Sequence, residues 1–495
     1  MSILDAVRDP QLFAGWFRDP STWQAWFAFL AALFALPMDA EALALYRRHT
    51  GRTEPPTEPV REAWVVVGRR GGKSIIAALV SVFVAVFRDH SAVLAPGERG
   101  TVMILAADRR QARTVFRYVA GFFDSVPMLE RMVESRTAEA IHLTNRVSIE
   151  VHTANYRAVR GYTMVAVVAD EVAFWRDEST ANPDAEIIAA LRPGMATVPG
   201  ALLLGISSPY SKRGVLFDAY QRHHGVDDSP VLVWQGASAD MNPTIDPAVI
   251  ERAYVEDEAS ASAEYGAEFR RDIEGFVSRE AVDAVVIPER RELPSVEGVR
   301  YYAFVDPSGG SSDSMTLAVA HEEGNPKRAV LDLVREVRPP FSPDAVVEEF
   351  AETLRRYRIG QVVGDRYGAE WVGERFRKAG ITYKPAEKPK SDLYRELLPA
   401  INAQTVELLD HPKLIAQLCQ LERRTARGGR DSIDHAPRAH DDIANVCAGV
   451  VHLVLGRRRG LTFADLYPPR PGDPDYVPPP EDEPHECSPT KLGRR

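Results

Sequence analysis

The sequence predicts an α/β protein made of two domains, and three observations lead to that prediction. The chain has 495 residues, which is too long for a single hydrophobic core. Apolar runs typical of buried strands alternate with helical patterns between residues 61 and about 225, as a parallel sheet requires. A second alternating region begins at Arg300. The segment before the first region, residues 1 to about 60, is predicted to be mostly helical.

An aromatic cluster marks this N-terminal segment: Trp16, Phe17, Trp23, Trp26, Phe27 and Phe29. We expect these rings to pack against the domain that follows, because large aromatic side chains gain much from burial. The alternative is that Trp23-Gln24 and their neighbours help to hold an adenine base.

The first alternating region contains a glycine-rich turn between two apolar runs, VVVGRRGGKS at residues 65–74. This pattern predicts a strand, a phosphate loop and a helix, in which loop amides and the helix N-terminus surround phosphate oxygens. The loop consists of Gly68, Arg69, Arg70, Gly71 and Gly72. Lys73 would reach the β- and γ-phosphates of ATP, and Ser74 would hold Mg²⁺. Gly68 stands one residue too close to Gly72 for the usual G-x-x-x-x-G-K-[ST] spacing, so an ordinary glycine turn is the alternative.

An acidic pair follows the continuous apolar run that begins at Met164. Such a run suits a parallel strand covered on both faces. Asp170 would bind Mg²⁺ through water, and Glu171 would orient and deprotonate the attacking water. A helix capped by two acids is the alternative. A further buried strand, predicted at Ala201 to Ile206, ends at Ser207-Ser208.

The predicted domain organisation has four parts. Residues 1–225 form the nucleotide-binding domain with its helical extension, and residues 226–295 form a connecting subdomain with turns at Asn242-Pro243 and Asp246-Pro247. Residues 296–460 form the second α/β domain. The tail, residues 461–495, is proline-rich and acidic, and we expect it to be disordered or to be a linear binding segment.

Scattered aspartates predict a second site in the 296–460 domain. Asp306 and Asp365 each follow a predicted strand, and Asp441-Asp442 begin a predicted helix. Carboxylates that meet at strand ends could hold two divalent ions, one activating water and the other stabilising the leaving oxygen of a phosphodiester. Oxygen ligands suit Mg²⁺ or Mn²⁺, and Asp313 could add one. Each aspartate could instead be a turn former or a helix cap, and the sequence does not choose between Asp441 and Asp442.

Two further features flank this site. His435 and His440 could ligate metal or donate to phosphate, although surface or capping roles are equally open. The stretch Glu422 to Arg438 carries Arg423, Arg424, Arg427, Arg430 and Arg438 around glycines. It could contact phosphate as a basic loop, or it could be a plain solvated loop.

The composition is that of a soluble globular protein, with 45% hydrophobic and 26% charged residues. A formal net charge of −10 argues against a protein that coats nucleic acid by bulk attraction, but a local basic groove remains compatible with it. We expect no signal peptide and no membrane span. Cys419, Cys447 and Cys487 have no metal-ligand spacing and fit a reducing cytoplasm.

Taken together, these motifs resemble the large terminase subunit of tailed double-stranded DNA phages. The resemblance spans residues from about 15 to 455 and rests on the phosphate loop, the strand ending in Asp170-Glu171, Ser207-Ser208-Pro209, Asp306, Asp365 and His440-Asp441-Asp442. It implies an N-terminal P-loop ATPase domain of the RecA/ASCE-like type and a C-terminal nuclease domain of RNase H-like fold.

The resemblance also implies roles. Lys73 and Ser74 would bind ATP and Mg²⁺, Asp170 and Glu171 would be metal-binding and catalytic acids, and Ser207-Ser208 would couple hydrolysis to movement. Arg160 would be an arginine finger given to a neighbouring subunit, with nearby Arg157 and a structural salt bridge as the open alternatives. The aspartates would form a nuclease that Mn²⁺ also supports.

The implied partners are double-stranded DNA, a portal protein, a small terminase subunit and further copies of the chain in a ring. The implied location is the host cytoplasm, at the procapsid portal during packaging and not in the mature virion. Two other hypotheses remain open at this stage: a helicase or DNA-repair ATPase with a fused nuclease, and a non-enzymatic DNA-binding assembly protein.

Overall fold

The computed structural model describes residues 1–155, 159–175, 183–308, 310, 313–365, 369–425, 431–436 and 439–456. The proline-rich tail, Arg157, Arg427, Arg430, Arg438 and Cys487 lie outside the described residues. No described helix is both long enough and apolar enough to cross a membrane.

The N-terminal segment is helical, as predicted. It consists of α1 (Ile3–Arg8), a 3₁₀ turn (Pro20–Trp23), α2 (Gln24–Leu33) and α3 (Ala40–Thr50). Nine of the ten residues of α2 are buried, because this helix packs into the core of the first domain. The aromatic cluster belongs to the same core, and Trp26, Phe27 and Phe29 are buried there.

The first domain is built on an eight-stranded sheet with the order β3-β4-β5-β2-β6-β7-β1-β8. Its strands are β1 (Glu62–Val67), β2 (Gly100–Ala106), β3 (Val133–Arg136), β4 (Ala140–Leu143), β5 (Val147–Thr153), β6 (Thr163–Asp170), β7 (Leu202–Ser207) and β8 (Val231–Gly236). The six strands β5-β2-β6-β7-β1-β8 are mutually parallel, and β4 and β3 continue the sheet as an antiparallel edge beyond β5. The carboxyl ends of β1, β6 and β7 therefore meet at one edge of the sheet, where sites in such sheets form.

Helices cover both faces of this sheet. They are α4 (Lys73–Phe87), α5 (Arg109–Ser125), α6 (Pro127–Glu130), a 3₁₀ turn (Val172–Phe174), α7 (Pro183–Ala196) and α8 (Val215–His223). Helix α4 follows the phosphate loop and is apolar on all sides, since it lies between the sheet and the N-terminal helices.

The segment predicted as a connecting subdomain contributes to both domains. Strand β8 pairs with β1, so the first sheet continues beyond residue 225. The segment continues with α9 (Ser238–Met241), α10 (Pro247–Glu256), α11 (Glu258–Glu264), β9 (Ile273–Gly275), α12 (Arg279–Asp283) and β10 (Val286–Ile287). Strands β9 and β10 pair with strands of the C-terminal half.

The second domain has a seven-stranded sheet that combines antiparallel and parallel strands. Its strands besides β10 are β11 (Tyr301–Asp306), β12 (Met315–Glu323), β13 (Arg328–Val337), β14 (Gln361–Gly364), β15 (Thr382–Pro385) and β16 (Val406–Leu409). The sheet order is β10-β16-β13-β12-β11-β14-β15. Strands β11, β12 and β13 are antiparallel, whereas β14 and β15 run parallel to β11. This arrangement confirms the predicted RNase H-like fold.

The helices of the second domain are α13 (Pro343–Arg356), α14 (Ala369–Lys378), α15 (Lys390–Asn402), α16 (Pro412–Gln420) and α17 (Asp442–Leu455). Helix α17 lies directly against β11, because Gly449 has no side chain to hold it away. A Cβ atom at Gly449 would lie 2.4 Å from the Phe304 ring. This close approach places the first turn of α17 beside the end of β11.

The stretch predicted as a basic loop is largely a β-hairpin. Strands β17 (Leu421–Thr425) and β18 (Asp431–His435) pair with each other, and β9 pairs with β17 on its other side. Arg423 contacts Asp431, and Arg424 lies 3.3 Å from Glu422. The loop interpretation was therefore wrong for residues 421–425 and 431–435, because these arginines are paired along strands.

Candidate active sites

The phosphate loop joins β1 to α4, as predicted. Gly72 adopts the left-handed conformation, with φ of 90°, at the N-cap of α4. The carbonyl of its neighbour Gly71 accepts a hydrogen bond of 2.8 Å from the Trp26 indole. The buried Lys73 ammonium donates to the carbonyls of Val67 and Gly68 at 2.8 and 2.9 Å. The loop is thus folded around the Lys73 side chain, at the N-terminus of α4.

The segment after β8 holds the phosphate loop in place. Ser238 donates to the Arg69 carbonyl at 2.7 Å, and Asn242 donates to the Arg70 carbonyl at 2.9 Å. Arg69 also forms an ion pair of 3.1 Å with Glu264. A Cβ atom at Gly68 would lie 2.2 Å from the Ser238 hydroxyl, so glycine is required there. The early glycine that breaks the usual spacing therefore serves this close packing.

The acidic pair lies at the end of β6, as predicted. Asp170 is buried, and burial together with the Glu171 charge raises the pKa of Asp170 to about 8. Glu171 has φ of 50°, an unfavourable conformation for a residue with a side chain and one that is concentrated at functional sites. The Glu171 carboxylate accepts hydrogen bonds from the Ser207 hydroxyl at 3.2 Å and the Ser208 amide at 3.4 Å.

Ser208 connects the acidic pair to the phosphate loop, because its hydroxyl also accepts a hydrogen bond of 3.1 Å from Lys73. These groups border a cleft of about 1270 Å³ that is lined by the loop residues 69–75, Glu171 and Ser208, among others. Cationic side chains, loop amides and a helix N-terminus facing one cleft suit the phosphates of a nucleotide. Ser74, the predicted Mg²⁺ ligand, is half-buried at the start of α4 and lines the same cleft.

Two other residues that the sequence singled out, Trp23 and Arg160, differ in their position relative to the cleft. Trp23 lines the cleft and packs edge-to-face on Phe17 with ring centroids 4.9 Å apart, so both interpretations of this residue have a structural counterpart. Arg160 is exposed and lies outside the lining of the cleft.

The second site lies at the carboxyl ends of β11 and β14. Val305 is paired with Gly364 in the parallel register, so the next residues, Asp306 and Asp365, are neighbours at the same edge of the sheet. Asn445, on the first turn of α17, donates to Asp306 at 2.6 Å. Strands and helix thus bring together residues that are 139 positions apart in the sequence.

The structure separates the roles of Asp441 and Asp442. Asp441 is the N-cap residue of α17, and its carboxylate accepts from the Tyr394 hydroxyl at 2.8 Å and pairs with Lys390 at 2.9 Å. Asp442 is the first helical residue, and its charge is the largest like-charge influence on Asp306. Asp442 is therefore the better candidate for a metal ligand beside Asp306.

Burial and like charge shape the titration of these carboxyls. Burial, with the charges of Asp442, Asp365 and Asp441, raises the pKa of Asp306 to about 7 even though the Asn445 hydrogen bond lowers it. Burial raises the pKa of Asp442 to about 6, and the charge of the exposed Asp313 adds to this effect. Mutual repulsion of this kind is relieved when carboxylates share a cation.

Two buried oxygen atoms at this site suit a hard divalent ion. Asp442 Oδ2 and Asn445 Oδ1 are buried and have no hydrogen-bond partner among the described residues. Buried polar atoms are normally paired, and oxygen atoms next to Asp306 are the ligand type that Mg²⁺ and Mn²⁺ prefer. The residues present therefore fit the predicted metal chemistry.

Three potential metal ligands next to the second site form a cluster that the sequence did not predict. Single ligand atoms of Asp434, His435 and Asp441 all lie within 4.8 Å of one another, the one such triad found among the described residues. Lys390 pairs with Asp434 at 2.8 Å as well as with Asp441, so a protein cation already balances these acids. His440 is exposed.

Sequence reasoning missed the residues that support the second site: Lys390, Tyr394, Gln417 and Asn445. Gln417 accepts hydrogen bonds from the amides of Ile443 and Ala444 at 2.9 and 3.0 Å and so fixes the start of α17. Only Asn445 carried a local signal, because it follows Asp442 by one helical turn and so lies on the same face.

Comparison with known protein families supports the interpretation of the first site as a nucleotide site. Residues 49–218 match the family model of the terminase large subunit, ATPase domain. Residues 49–218 are thus identified as a terminase large subunit ATPase domain. The matched range contains the phosphate loop, Asp170-Glu171 and Ser207-Ser208. No curated protein matches this sequence.

Several solved large terminases are similar to this chain. That of bacteriophage HK97 has 14% identity and a TM-score of 0.35, covering 85% of this chain and 95% of its own. The large terminase of another, thermophilic bacteriophage has 13% identity and a TM-score of 0.34, covering 80% and 94%. The large terminase nuclease from thermophilic phage G20c has 16% identity and a TM-score of 0.31, covering 35% and 95%. Each TM-score is below 0.5, so the chemistry of this chain rests on its own residues.

Proposed function

We propose that this chain is a large terminase, an ATP-driven phage DNA-packaging motor subunit. It cleaves concatemeric viral DNA with a two-metal nuclease and translocates the DNA into a procapsid. The observation that carries the proposal is the presence of two separate acidic sites, each at the carboxyl ends of strands, in the two α/β domains of one chain.

At the first site the chain binds a nucleotide and prepares a water molecule. The loop amides and Lys73 bind the phosphates of ATP, while Ser74 and Asp170 hold Mg²⁺. Magnesium, when bound, neutralises charge on the β- and γ-phosphates. Glu171 is fixed by the hydrogen bonds from Ser207 and Ser208, so its carboxylate is positioned to orient water and accept its proton.

At the second site Asp306, Asp365 and Asp442 hold divalent ions, with Asp313 at the margin. These ions supply activation of water and stabilisation of the leaving oxygen of a phosphodiester. Asn445 keeps the Asp306 carboxylate oriented. Lys390 and Tyr394 bind the Asp441 carboxylate and so hold it away from the metal site. Mg²⁺ is the proposed metal, and Mn²⁺ supports the same oxygen ligands.

The wider assembly follows from the same proposal. The subunits act as a ring on a portal protein, together with a small terminase subunit and double-stranded DNA, in the host cytoplasm and not in the mature virion. Arg160, which is exposed, serves a neighbouring nucleotide site in this ring.

The test is packaging of DNA into procapsids, measured as DNA protected from added nuclease. We expect Glu171→Ala to abolish protection, because it removes the carboxylate that Ser207 and Ser208 hold in the cleft as the base. Glu41→Ala, an exposed change on α3, is the control and should package normally. Packaging by Glu171→Ala at the wild-type rate would contradict the proposal. Robust unwinding of a forked duplex would favour the helicase hypothesis instead.

A further inference from the structure

We propose that Glu422 is a positioning residue that couples the nucleotide cleft to the nuclease site, so that nucleotide binding changes the rate of DNA cleavage. This inference rests on the proposed function, because it requires both activities on one chain. It concerns a hydrogen-bonded contact between the two domains.

Glu422 lies on β17 of the C-terminal half and is completely buried. Its carboxylate accepts a hydrogen bond of 2.8 Å from the Tyr210 hydroxyl and one of 2.9 Å from Arg213, both from the first domain. A third contact, of 3.3 Å, comes from Arg424 on its own strand. A buried carboxylate is stable only with such partners, so Glu422 holds the two domains together at a defined point.

The first-domain side of this contact leads directly to the nucleotide cleft. Tyr210 lies two residues after Ser208, and it lines the same cleft as Lys73 and Glu171. Ser208 accepts from Lys73, and its amide donates to Glu171. The short segment from Ser208 to Arg213 is therefore anchored at one end by the phosphate-binding lysine and at the other by Glu422.

The C-terminal side of the contact leads to the nuclease site. Arg424 donates to the His435 carbonyl at 3.0 Å. His435 is adjacent to Asp434, which pairs with Lys390, and Lys390 also pairs with Asp441. Asp441 immediately precedes the candidate metal ligand Asp442. Each link in this series is a hydrogen bond, an ion pair or a peptide bond.

Lys73 can bind either Ser208 or a phosphate, and these alternatives give the series of contacts two states. An ammonium group has three donors, and here all three are used, by Val67, Gly68 and Ser208. Phosphate binding by Lys73 must therefore displace at least one of these acceptors. The Val67 carbonyl belongs to β1 and the Gly68 carbonyl to the tethered phosphate loop, so Ser208 is the acceptor that gives way.

Release of Ser208 from Lys73 changes what holds the segment that follows it. The Tyr210 carbonyl still accepts a hydrogen bond of 2.8 Å from the Arg270 amide, and the Tyr210 hydroxyl still donates to Glu422. A shift of the segment is therefore transmitted through Glu422 to β17, and from there towards Asp442.

The test measures plasmid nicking in Mn²⁺ with and without the non-hydrolysable ATP analogue AMP-PNP, at constant free Mn²⁺. Proteins are the full-length wild type, Tyr210→Phe, Glu422→Gln and the control Tyr220→Phe. Tyr210→Phe keeps the ring that packs near Phe174 and removes only the hydroxyl. Tyr220 donates to Gln235 within the first domain, so its loss leaves the interdomain contact intact. Tyr210→Phe covers the case in which Glu422→Gln fails to fold.

We expect AMP-PNP to change the wild-type nicking rate by about fivefold or more, the usual size of a coupling between sites. The same ratio should hold for Tyr220→Phe and should fall to near one for Tyr210→Phe and Glu422→Gln. A wild-type ratio of one, or an unchanged ratio in Tyr210→Phe, would overturn the inference while leaving the two activities standing. Wild-type protein that neither nicks DNA nor hydrolyses ATP would overturn the proposed function itself, and this inference with it.

Discussion

The side-chain amide of Asn445 donates a hydrogen bond of 2.6 Å to the carboxylate of Asp306. This contact joins the first turn of α17 to the end of β11, and it orients the Asp306 carboxylate at the second site. The other polar atom of this amide, Asn445 Oδ1, is buried and has no hydrogen-bond partner within the described part of the chain. Asn445 therefore both orients one carboxylate and offers an oxygen of its own.

Loss of the Asn445 amide should impair DNA cleavage. We expect Asn445→Ala to lower plasmid cleavage in Mn²⁺ by about ten- to a hundredfold, the usual cost of removing a residue that orients a metal ligand. ATP hydrolysis should be unchanged, because the other site lies in a separate domain. The control is Asn402→Ala, an exposed position at the end of α15. Equal cleavage by both variants would remove Asn445 from the site.

The raised pKa of Asp306 predicts a pH-dependent change in stability. Burial raises this pKa to about 7, compared with about 3.9 in an unfolded chain. A carboxyl with a raised pKa contributes stability that is fully present below the unfolded pKa and is lost as the pH rises through the folded pKa. In EDTA, Asp306→Asn should therefore melt a few degrees above the wild type at pH 8, and the difference should shrink as the pH falls to 5.

Thermal melting across this pH range checks the prediction, with the exposed Asp228→Asn as control. A Tm difference for Asp306→Asn that stays constant from pH 5 to 8 would show that burial does not hold the proton on Asp306. Added Mn²⁺ should raise the Tm of the wild type more than that of Asp306→Asn, because a bound ligand stabilises the state that binds it.

Helix α17 should be sensitive to small additions at its contact with β11. Gly449→Ala places a Cβ atom 2.4 Å from the Phe304 ring, and such overpacking costs about 1–3 kcal/mol. We expect a lower Tm and reduced cleavage, because displacement of α17 also moves Asp442. Gly373→Ala on α14, where the nearest atom is 3.7 Å away, should be tolerated. Partial recovery in Gly449→Ala combined with Phe304→Leu would confirm the steric cause.

The phosphate loop should depend on its tether from the segment after β8. Asn242 donates to the carbonyl of Arg70, a residue with φ of 62° that needs outside support. Asn242→Ala should raise the KM for ATP severalfold with a smaller effect on kcat, because the loop loses its binding conformation and Glu171 is untouched. Steady-state ATP hydrolysis gives both values. A change in kcat alone would place Asn242 in the chemical step instead.

The sequence predicted the positions of candidate site residues where these residues are contiguous in the chain. The phosphate loop and the Asp170-Glu171 pair are contiguous, and their flanking apolar runs identify the strands and helix that present them. Asp306 and Asp365 could be placed together because both follow strands, and parallel neighbours end at one edge. The residue that holds Asp306 was missed, because the contact with Asn445 depends on how closely α17 packs on β11.

The remaining differences have similar causes. Strand β8 was placed in a connecting subdomain because nearby proline turns dominated the pattern, whereas its pairing with β1 depends on the tertiary fold. The hairpin β17–β18 was interpreted as a basic loop because its arginines suggested solvent exposure. Their partners Glu422 and Asp431 stabilise the strands through contacts that a single sequence does not reveal.

The central claim is that one chain carries two separate acidic sites, and one measurement tests it most directly. Plasmid cleavage in Mn²⁺ and ATP hydrolysis are measured on the same samples of wild-type protein and Asp365→Ala. The account predicts that the wild type cuts and the variant does not, while both hydrolyse ATP at the same rate. Equal cutting by the two proteins would contradict the assignment of the C-terminal aspartates as a metal-dependent nuclease.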